Sequence, residues 1–113
     1  MNMEIYSKLL DVAKAEQLIT YGEIAPLAGL NMESPADRTV ISGLLDEINK
    51  IETQHRQPML SSLVVRAVER TPGPGYFVCA RDIGKLTASG EIDELEFWAK
   101  EVKKVHQYWS HHI

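Results

Sequence analysis

The chain has 113 residues, of which 44% are apolar and 25% are charged, and its formal net charge is −4. This length is enough to bury a core without disulfides or a metal ion, and we predict a single domain over residues 1–113. The negative charge excludes a protein that coats nucleic acid over its whole surface, although a basic patch on one face is compatible with it.

The first predicted element is a helix within residues 3–18. Its apolar side chains recur at intervals of three and four residues, as in a helix that buries one face. The apolar face consists of Ile5, Leu9, Val12 and Ala13. Tyr6 and Leu10 widen this face, and polar or charged residues such as Glu4, Ser7, Asp11 and Lys14 lie on the other side.

A short second helix is predicted to begin at Tyr21. Thr20 and Glu23 match a capping box, in which each side chain binds the backbone amide of the other residue. Pro26 lacks a backbone donor and Gly29 is a common helix stop, so this helix is limited to about two turns.

A longer third helix is predicted after a second start signal. Ser34 is a suitable N-cap, and Pro35 suits the first helical position. We expect the helix to end between Glu52 and Gln57, before Pro58. Its broad apolar stripe consists of Val40, Ile41, Leu44, Leu45, Ile48 and Ile51.

The segment 59–68 is predicted as a strand, because it is short and has a β-branched centre. The turn at 71–75 contains two prolines and two glycines, which favour a tight reversal of the chain. Residues 76–84 have two interpretations, since they can return as a strand or form a helix.

The last predicted element is a helix that begins near Ile92. Acidic residues lie in its first turns and lysines in its later turns, which complements the helix dipole. The order of all the elements predicts an α+β domain, namely a winged helix-turn-helix with a small antiparallel sheet and a C-terminal amphipathic helix. The apolar stripe of the last helix consists of Leu95, Trp98, Val102, Val105 and Trp109.

The phrase Ile19-Thr20-Tyr21-Gly22-Glu23-Ile24-Ala25, followed by Leu27-Ala28-Gly29, resembles part of a known family. It is similar to the start of the helix-turn-helix in the DNA-binding domain of O6-alkylguanine-DNA alkyltransferases and alkyltransferase-like proteins. The resemblance implies a winged-helix fold and double-stranded DNA as the partner. The segment 57–65, with the Pro/Gly turn after it, is also similar to small uncharacterised bacterial proteins.

The reactive motif of that family is missing from this chain. Where the family carries a Pro-Cys-His-Arg segment, this chain has Ser61-Ser62-Leu63-Val64-Val65-Arg66. Cys79 lies beyond it without a following His-Arg pair, and its apolar neighbours favour a buried structural thiol. We therefore predict no catalytic residue, no cofactor and no enzymatic activity.

The first functional hypothesis is a non-enzymatic DNA-binding protein of bacterial type. Residues near the start of the third helix would reach bases or phosphates, and arginines beside the Pro/Gly turn would act as wing contacts. Arginine is suited to this role because it binds guanine or phosphate with two hydrogen bonds. The predicted DNA-binding residues are Arg38, Thr39, Ser42, Lys50, Arg56, Arg66 and Arg70.

The alternative hypothesis is a protein-interaction module or homodimeric adaptor that does not contact DNA. Two copies would then associate through Trp98, Val102, Val105 and Trp109 of the last helix. His106, His111 and His112 match no common spacing of metal ligands, so no metal site is predicted. The single cysteine and the lack of an apolar run near ~18 residues predict a cytoplasmic protein without membrane contact.

Overall fold

The computed structural model describes residues 1–87 and 90–111, and within them the chain forms five α-helices and one pair of short strands. Two single turns of 3-10 helix, Ala25–Ala28 and Leu60–Leu63, connect these elements. In chain order the elements are α1 (Met3–Lys14), β1 (Ile19–Thr20), α2 (Tyr21–Ile24), α3 (Pro35–Gln54), β2 (Val64–Val65), α4 (Pro74–Asp82) and α5 (Glu91–His111).

The predicted capping box at the start of α2 is confirmed. The Glu23 amide donates to Thr20 Oγ1 at 3.2 Å, and the Thr20 amide donates to Glu23 Oε1 at 3.1 Å. Helix α2 ends at Ile24, and the 3-10 turn that follows contains Pro26, which cannot supply an α-helical amide. Gly29 closes this turn with a left-handed φ of 70°, which glycine adopts at little cost.

The start and end of α3 also agree with the sequence. The Asp37 amide donates to the Ser34 hydroxyl at 3.3 Å, and Pro35 occupies the first helical turn. The helix then runs for 20 residues to Gln54, inside the expected range. Ile41, Leu45 and Ile48 of the predicted stripe are buried, which confirms its centre, whereas Val40 is 48% exposed and does not belong to the core.

The prediction of a winged helix with an antiparallel sheet is wrong. The two strands have two residues each and run parallel, with Ile19 opposite Val64 and Thr20 opposite Val65. Parallel strands need a long crossover, and α2 and α3 provide it. The strands of a wing would instead be joined by a tight hairpin.

The prediction of a strand over 59–68 is wrong for all but two residues, since Leu60–Leu63 forms a 3-10 turn, and the return strand of the wing is a helix. Only Val64–Val65 is extended, because Leu60–Leu63 forms a buried turn that fits between α1, α3 and α5. The Pro/Gly segment starts α4, with Gly73 as N-cap and Pro74 in the first turn. This settles the two interpretations of residues 76–84, since their apolar spacing is that of a helix packed against the core.

Two apolar clusters form the interior. The larger joins α1, α3, the Leu60–Val65 segment and α5, and includes Ile5, Leu9, Ile24, Ile41, Ile48, Leu63 and Val105. The smaller joins α4 to α5 and includes Met59, Tyr76, Phe77, Cys79, Ala80 and Leu86. Within the described part of the chain, no helix has the length and apolar character needed to cross a membrane.

Candidate functional site

A pocket of about 320 Å³ lies between the start of α2, the N-terminal half of α3 and the start of α4. It brings together residues from four separate stretches of the chain, and its lining combines aromatic, apolar and charged side chains. We call it the Arg38 pocket. Its lining consists of Tyr21, Met32, Arg38, Ile41, Ser42, Leu45, Asp46, Ser61, Arg66, Gly73, Pro74, Gly75 and Tyr76.

Two tyrosines give the pocket its aromatic walls, and their hydroxyls are held by other segments. Tyr21 follows the N-cap Thr20 and accepts a hydrogen bond from the Gly73 amide at 3.0 Å. The Tyr76 hydroxyl lies 2.6 Å from Ser62 Oγ, which is completely buried. Burial raises the pKa of both phenols, so they remain neutral at physiological pH.

Arg38 lies in the first turns of α3, at the rim of the pocket. The loop before the helix is held by the Asn31 amide, which donates to the Asp37 carboxylate at 2.9 Å. Arg38 Nη2 donates to the Glu33 carbonyl oxygen at 3.3 Å. The side chain is exposed, and a guanidinium carries five N–H groups, so it is able to bind an incoming anion as well.

Arg66 reaches the same pocket from the end of β2. Its Nη2 donates to Thr71 Oγ1 at 3.0 Å, and its amide donates to the Thr71 carbonyl at 2.9 Å. Its Nε lies 3.9 Å from a carboxylate oxygen of Glu69, a partly exposed pair. These contacts fix the loop of residues 66–71 and keep the guanidinium at the pocket.

A network of polar side chains lies beneath the pocket. Asn49 donates to Ser61 Oγ at 2.6 Å and accepts from the Ser61 amide at 3.2 Å. Burial raises the pKa of the Asp46 carboxyl, while a hydrogen bond with the Cys79 thiol and the charge of Lys50 oppose that rise. Asp46 is therefore a half-buried acceptor at the floor of the pocket.

The one thiol of the chain is unsuited to nucleophilic attack. Cys79 is 2% exposed, and Asn49 Nδ2 lies 3.8 Å from its sulfur. Burial and the nearby Asp46 charge raise the pKa of the Cys79 thiol to about 11, so little thiolate exists at neutral pH.

The pocket is narrowed where α4 begins beside α3. A Cβ placed on Gly75 would lie 3.0 Å from Ser42 Oγ, closer than most Cβ contacts in proteins. Glycine at this position therefore lets the two helices approach while the Ser42 hydroxyl stays in the pocket wall.

The structure brings three of the seven predicted DNA-binding residues together, namely Arg38, Ser42 and Arg66. Thr39 instead binds the Pro35 carbonyl at 3.3 Å on the exposed side of α3. The remaining three residues do not line the pocket: Lys50 is exposed further along α3, Arg56 follows the end of α3, and Arg70 lies in an exposed loop.

The sequence did not single out Tyr21, Asp46, Ser61 or Tyr76 as site residues. Tyr21 lies within the capping box and Tyr76 follows the Pro/Gly segment, which are signals of local geometry rather than of a pocket. Only the packing of α2, α3 and α4 shows that their side chains line one space. With Arg38 and Arg66 against Asp46, the formal charge of the lining is +1, opposite in sign to the −4 of the chain.

The residues predicted to join two copies pack on their own chain. Val105 is fully buried in the larger cluster, and Val102 and Trp109 pack against that cluster. Trp98 packs against the smaller cluster, and its Nε1 donates to the Ser62 carbonyl at 2.8 Å. The aromatic stripe of α5 therefore holds the domain together.

Among residues 1–87 and 90–111, no group of three or more His, Cys, Asp or Glu side chains is arranged to hold a metal ion. His106 Nε2 lies 2.9 Å from the Gln17 carbonyl oxygen, a contact that ties α5 to the loop after α1. His112 and the side chain of His111 lie outside the described part of the chain.

Comparisons with models of known protein families, with curated proteins and with solved structures find no match to this chain.

Proposed function

We propose that this chain is a non-enzymatic DNA-binding protein and that the Arg38 pocket is its contact site. The observation that carries this proposal is the convergence of Arg38 and Arg66 with Tyr21 and Tyr76 around one pocket. Arginines at the rim bind phosphates, while aromatic and polar groups inside are suited to a planar, hydrogen-bonding ring. A nucleotide carries both chemical features.

The rim is suited to contacts with the phosphate backbone. Arg38 and Arg66 are both exposed, so a phosphate can replace water around them without a large desolvation penalty. They come from different elements, α3 and the end of β2, and are therefore able to contact different phosphates. Because the rest of the chain is acidic, we expect a localised contact of modest affinity rather than extended coating.

The interior of the pocket is suited to one nucleotide base that has been extruded from the base stack of the DNA. Enzymes and other proteins that bind an extruded base hold it by stacking on apolar or aromatic side chains and by hydrogen bonds to its edge. Here Tyr21 and Tyr76 supply the rings, and Ser42 and Asp46 supply hydrogen-bonding groups. The volume of about 320 Å³ is near the lower end of the ~300–1,000 Å³ range of small-molecule sites, as expected for a single nucleotide.

The resemblance of the Ile19–Gly29 phrase to the alkyltransferase DNA-binding domain supports DNA as the partner. Tyr21 of this phrase lines the pocket. Ser61 and Ser62 stand where that family carries its reactive cysteine, and Cys79 is a buried thiol with a raised pKa. We therefore propose binding without alkyl transfer, in a cytoplasmic setting that keeps Cys79 reduced.

Fluorescence anisotropy with labelled DNA tests the proposal. The titrations use a matched duplex, a duplex with one mismatched pair and a single strand, all at low salt. We expect the mismatched duplex and the single strand to bind more tightly than the matched duplex, because less energy is needed to unstack a base. Arg38→Gln and Arg66→Gln should each weaken binding about tenfold and reduce the slope of log K against log salt by about 0.9.

Lys14→Gln is the matched control, since Lys14 is exposed on α1, away from the pocket, and its loss changes the net charge equally. Absence of binding to all three DNAs at low salt would refute the proposal. Equal losses in Arg38→Gln and Lys14→Gln would refute the pocket as the contact site.

Association through the last helix is the alternative function. It has less support, because Trp98, Val102, Val105 and Trp109 pack against the chain's own clusters. Sedimentation at several concentrations separates the two. A dimer that Trp109→Ala weakens, in a protein that binds none of the DNAs, would favour the alternative.

A further inference from the structure

A second charged surface lies at the other end of α3 and shares no lining residue with the Arg38 pocket. It is an open groove between the end of α3, the segment before the Leu60–Leu63 turn and α5. We call it the basic groove, and it is lined by Arg56, Gln57, Pro58, Lys85, Glu101, Lys104, Gln107 and Tyr108.

A buried carboxylate organises the two lysines of the basic groove. Glu101 is 2% exposed, and its Oε2 accepts from the Met59 amide at 2.9 Å. Lys85 Nζ lies 3.4 Å from Oε2, and Lys104 Nζ lies 3.5 Å from Oε1. Two ammonium groups thus flank the two oxygens of one carboxylate, which leaves one positive charge uncompensated.

Arg56 adds a further positive charge from the residue after the C-cap of α3. Its φ is 58°, a left-handed conformation that glycine or asparagine usually occupies at this position. The Gln57 amide, which follows, binds the Glu52 carbonyl at 2.8 Å and so fixes this turn. With three cations and one carboxylate, the formal charge of the lining is +2.

The rest of the lining is held in place. Gln57 Nε2 donates to the Tyr108 hydroxyl at 2.9 Å, and Lys85 Nζ donates to the Gln57 carbonyl at 3.3 Å. Lys85 is therefore held against the wall of the groove, whereas the Lys104 side chain is 67% exposed and meets the wall through its ion pair with Glu101. The partial negative charge at the end of α3 acts against an anion there, and Arg56 lies where it offsets that charge.

We propose that the basic groove binds a phosphate group through Arg56, Lys85 and Lys104. A phosphate has several acceptor oxygens and up to two negative charges, which match clustered N–H donors and the +2 charge of the lining. Its source is a small phosphorylated molecule or the backbone of the nucleic acid that the Arg38 pocket contacts. The proposal does not depend on the Arg38 pocket.

Titration of the full chain with inorganic phosphate, followed by amide NMR shifts, tests the proposal. Sodium chloride at equal ionic strength controls for screening. We expect saturable shifts at residues 56, 57 and 101–108, with binding weakened about tenfold in Arg56→Gln and in Lys104→Gln. Lys103→Gln is the control, because Lys103 is exposed on the same helix but does not line the groove.

Two further titrations identify the source of the phosphate. If Arg56→Gln weakens the binding of a DNA duplex as well, the groove contacts the nucleic-acid backbone. If it weakens only phosphate binding, the ligand is a small phosphorylated molecule. Shifts that phosphate and chloride cause equally, or equal losses in Lys103→Gln and Lys104→Gln, would overturn the proposal.

Discussion

The two ends of α3 carry polar surfaces of different construction. At the N-terminal end, Arg38 and Arg66 stand at the rim of a pocket whose interior is largely aromatic and apolar. At the C-terminal end, Lys85 and Lys104 flank the buried carboxylate of Glu101 in an open groove. The first surface is enclosed and largely apolar, and the second is open and mainly charged.

This difference shows why net charge is a poor guide to the partners of a small protein. The chain is acidic overall, yet both surfaces have a positive lining, because each holds one carboxylate against two or three cations and the other acidic side chains lie elsewhere. A ligand responds to the charges within about one Debye length, ~8 Å at physiological salt. The following predictions test whether the two ends of α3 are as independent and as different as their construction implies.

The largest effect is expected from Glu101→Ala at the groove end. The buried Met59 amide would lose its acceptor, and we expect a loss of about 2 kcal/mol of stability in urea unfolding. Lys85 and Lys104 are partly exposed and regain water, so they add little to this loss. The exposed Glu96→Ala should change stability by less than about 0.5 kcal/mol. Unchanged stability of Glu101→Ala would contradict the structural role of this carboxylate at the groove end.

A smaller loss of stability is expected from removing one tyrosine hydroxyl at each end of α3. The two variants form a matched pair, because each makes the same chemical change. Tyr76→Phe leaves the buried Ser62 hydroxyl without its 2.6 Å partner, and we expect a loss of about 1–2 kcal/mol. Tyr108→Phe removes the acceptor of Gln57, which is half-buried and able to bind water, so about 0.5 kcal/mol is expected. Equal losses in thermal or urea unfolding would contradict the contrast between an enclosed and an open end.

Arginine-to-glycine changes at the two ends of α3 are expected to shift the stability of the chain in opposite directions. Arg56→Gly relieves a left-handed φ of 58° and should stabilise the chain by about 0.5 kcal/mol, after the entropy cost of glycine. Arg38 lies within α3, so Arg38→Gly should destabilise the chain by about 1 kcal/mol. Urea midpoints that move in the same direction for both variants would show that the Arg56 conformation carries no strain.

The smallest effect is expected in the pH dependence of stability. It concerns Glu52, which lies on α3 near the groove end and is 2% exposed. Burial raises the pKa of its carboxyl, so the folded chain holds this proton more tightly than the unfolded chain does. Wild-type stability should therefore fall as pH rises from the unfolded pKa near 4.5 through the higher folded pKa. Glu52→Gln has no such proton to lose. Its stability relative to wild type should rise over that range, as measured by urea unfolding near pH 4 and near pH 7.

The parts of the fold that local signals determine were predictable from the sequence. Thr20 with Glu23, and Ser34 with Pro35, place two helix starts, because capping involves residues within one turn of each other. The Gly73-Pro74 pair was interpreted as part of a tight turn, although the same residues also favour the first turn of a helix. The choice in favour of α4 depends on apolar contacts of Tyr76 and Phe77 with distant segments.

The candidate site was predictable only in part for the same reason. Arg38 and Arg66 were identifiable because exposed arginines have few structural roles that compete with anion binding. Tyr21 and Tyr76 were not, because an aromatic residue in a sequence equally suits a core or a pocket. The sheet was predicted with the wrong direction, since nothing local to Val64 indicates that Ile19 is its partner.

The buried Leu60–Val65 segment has a consequence for the order in which the chain gains protection from solvent. Its residues touch α1, α3 and α5, and its short strand pairs with β1 from an early part of the chain. Because three helices cover it from different sides, fraying at the end of any one of them should leave it covered by the other two. The amides of Val64 and Val65 should therefore exchange with deuterium only through global unfolding, and their exchange rates would report the stability of the whole domain.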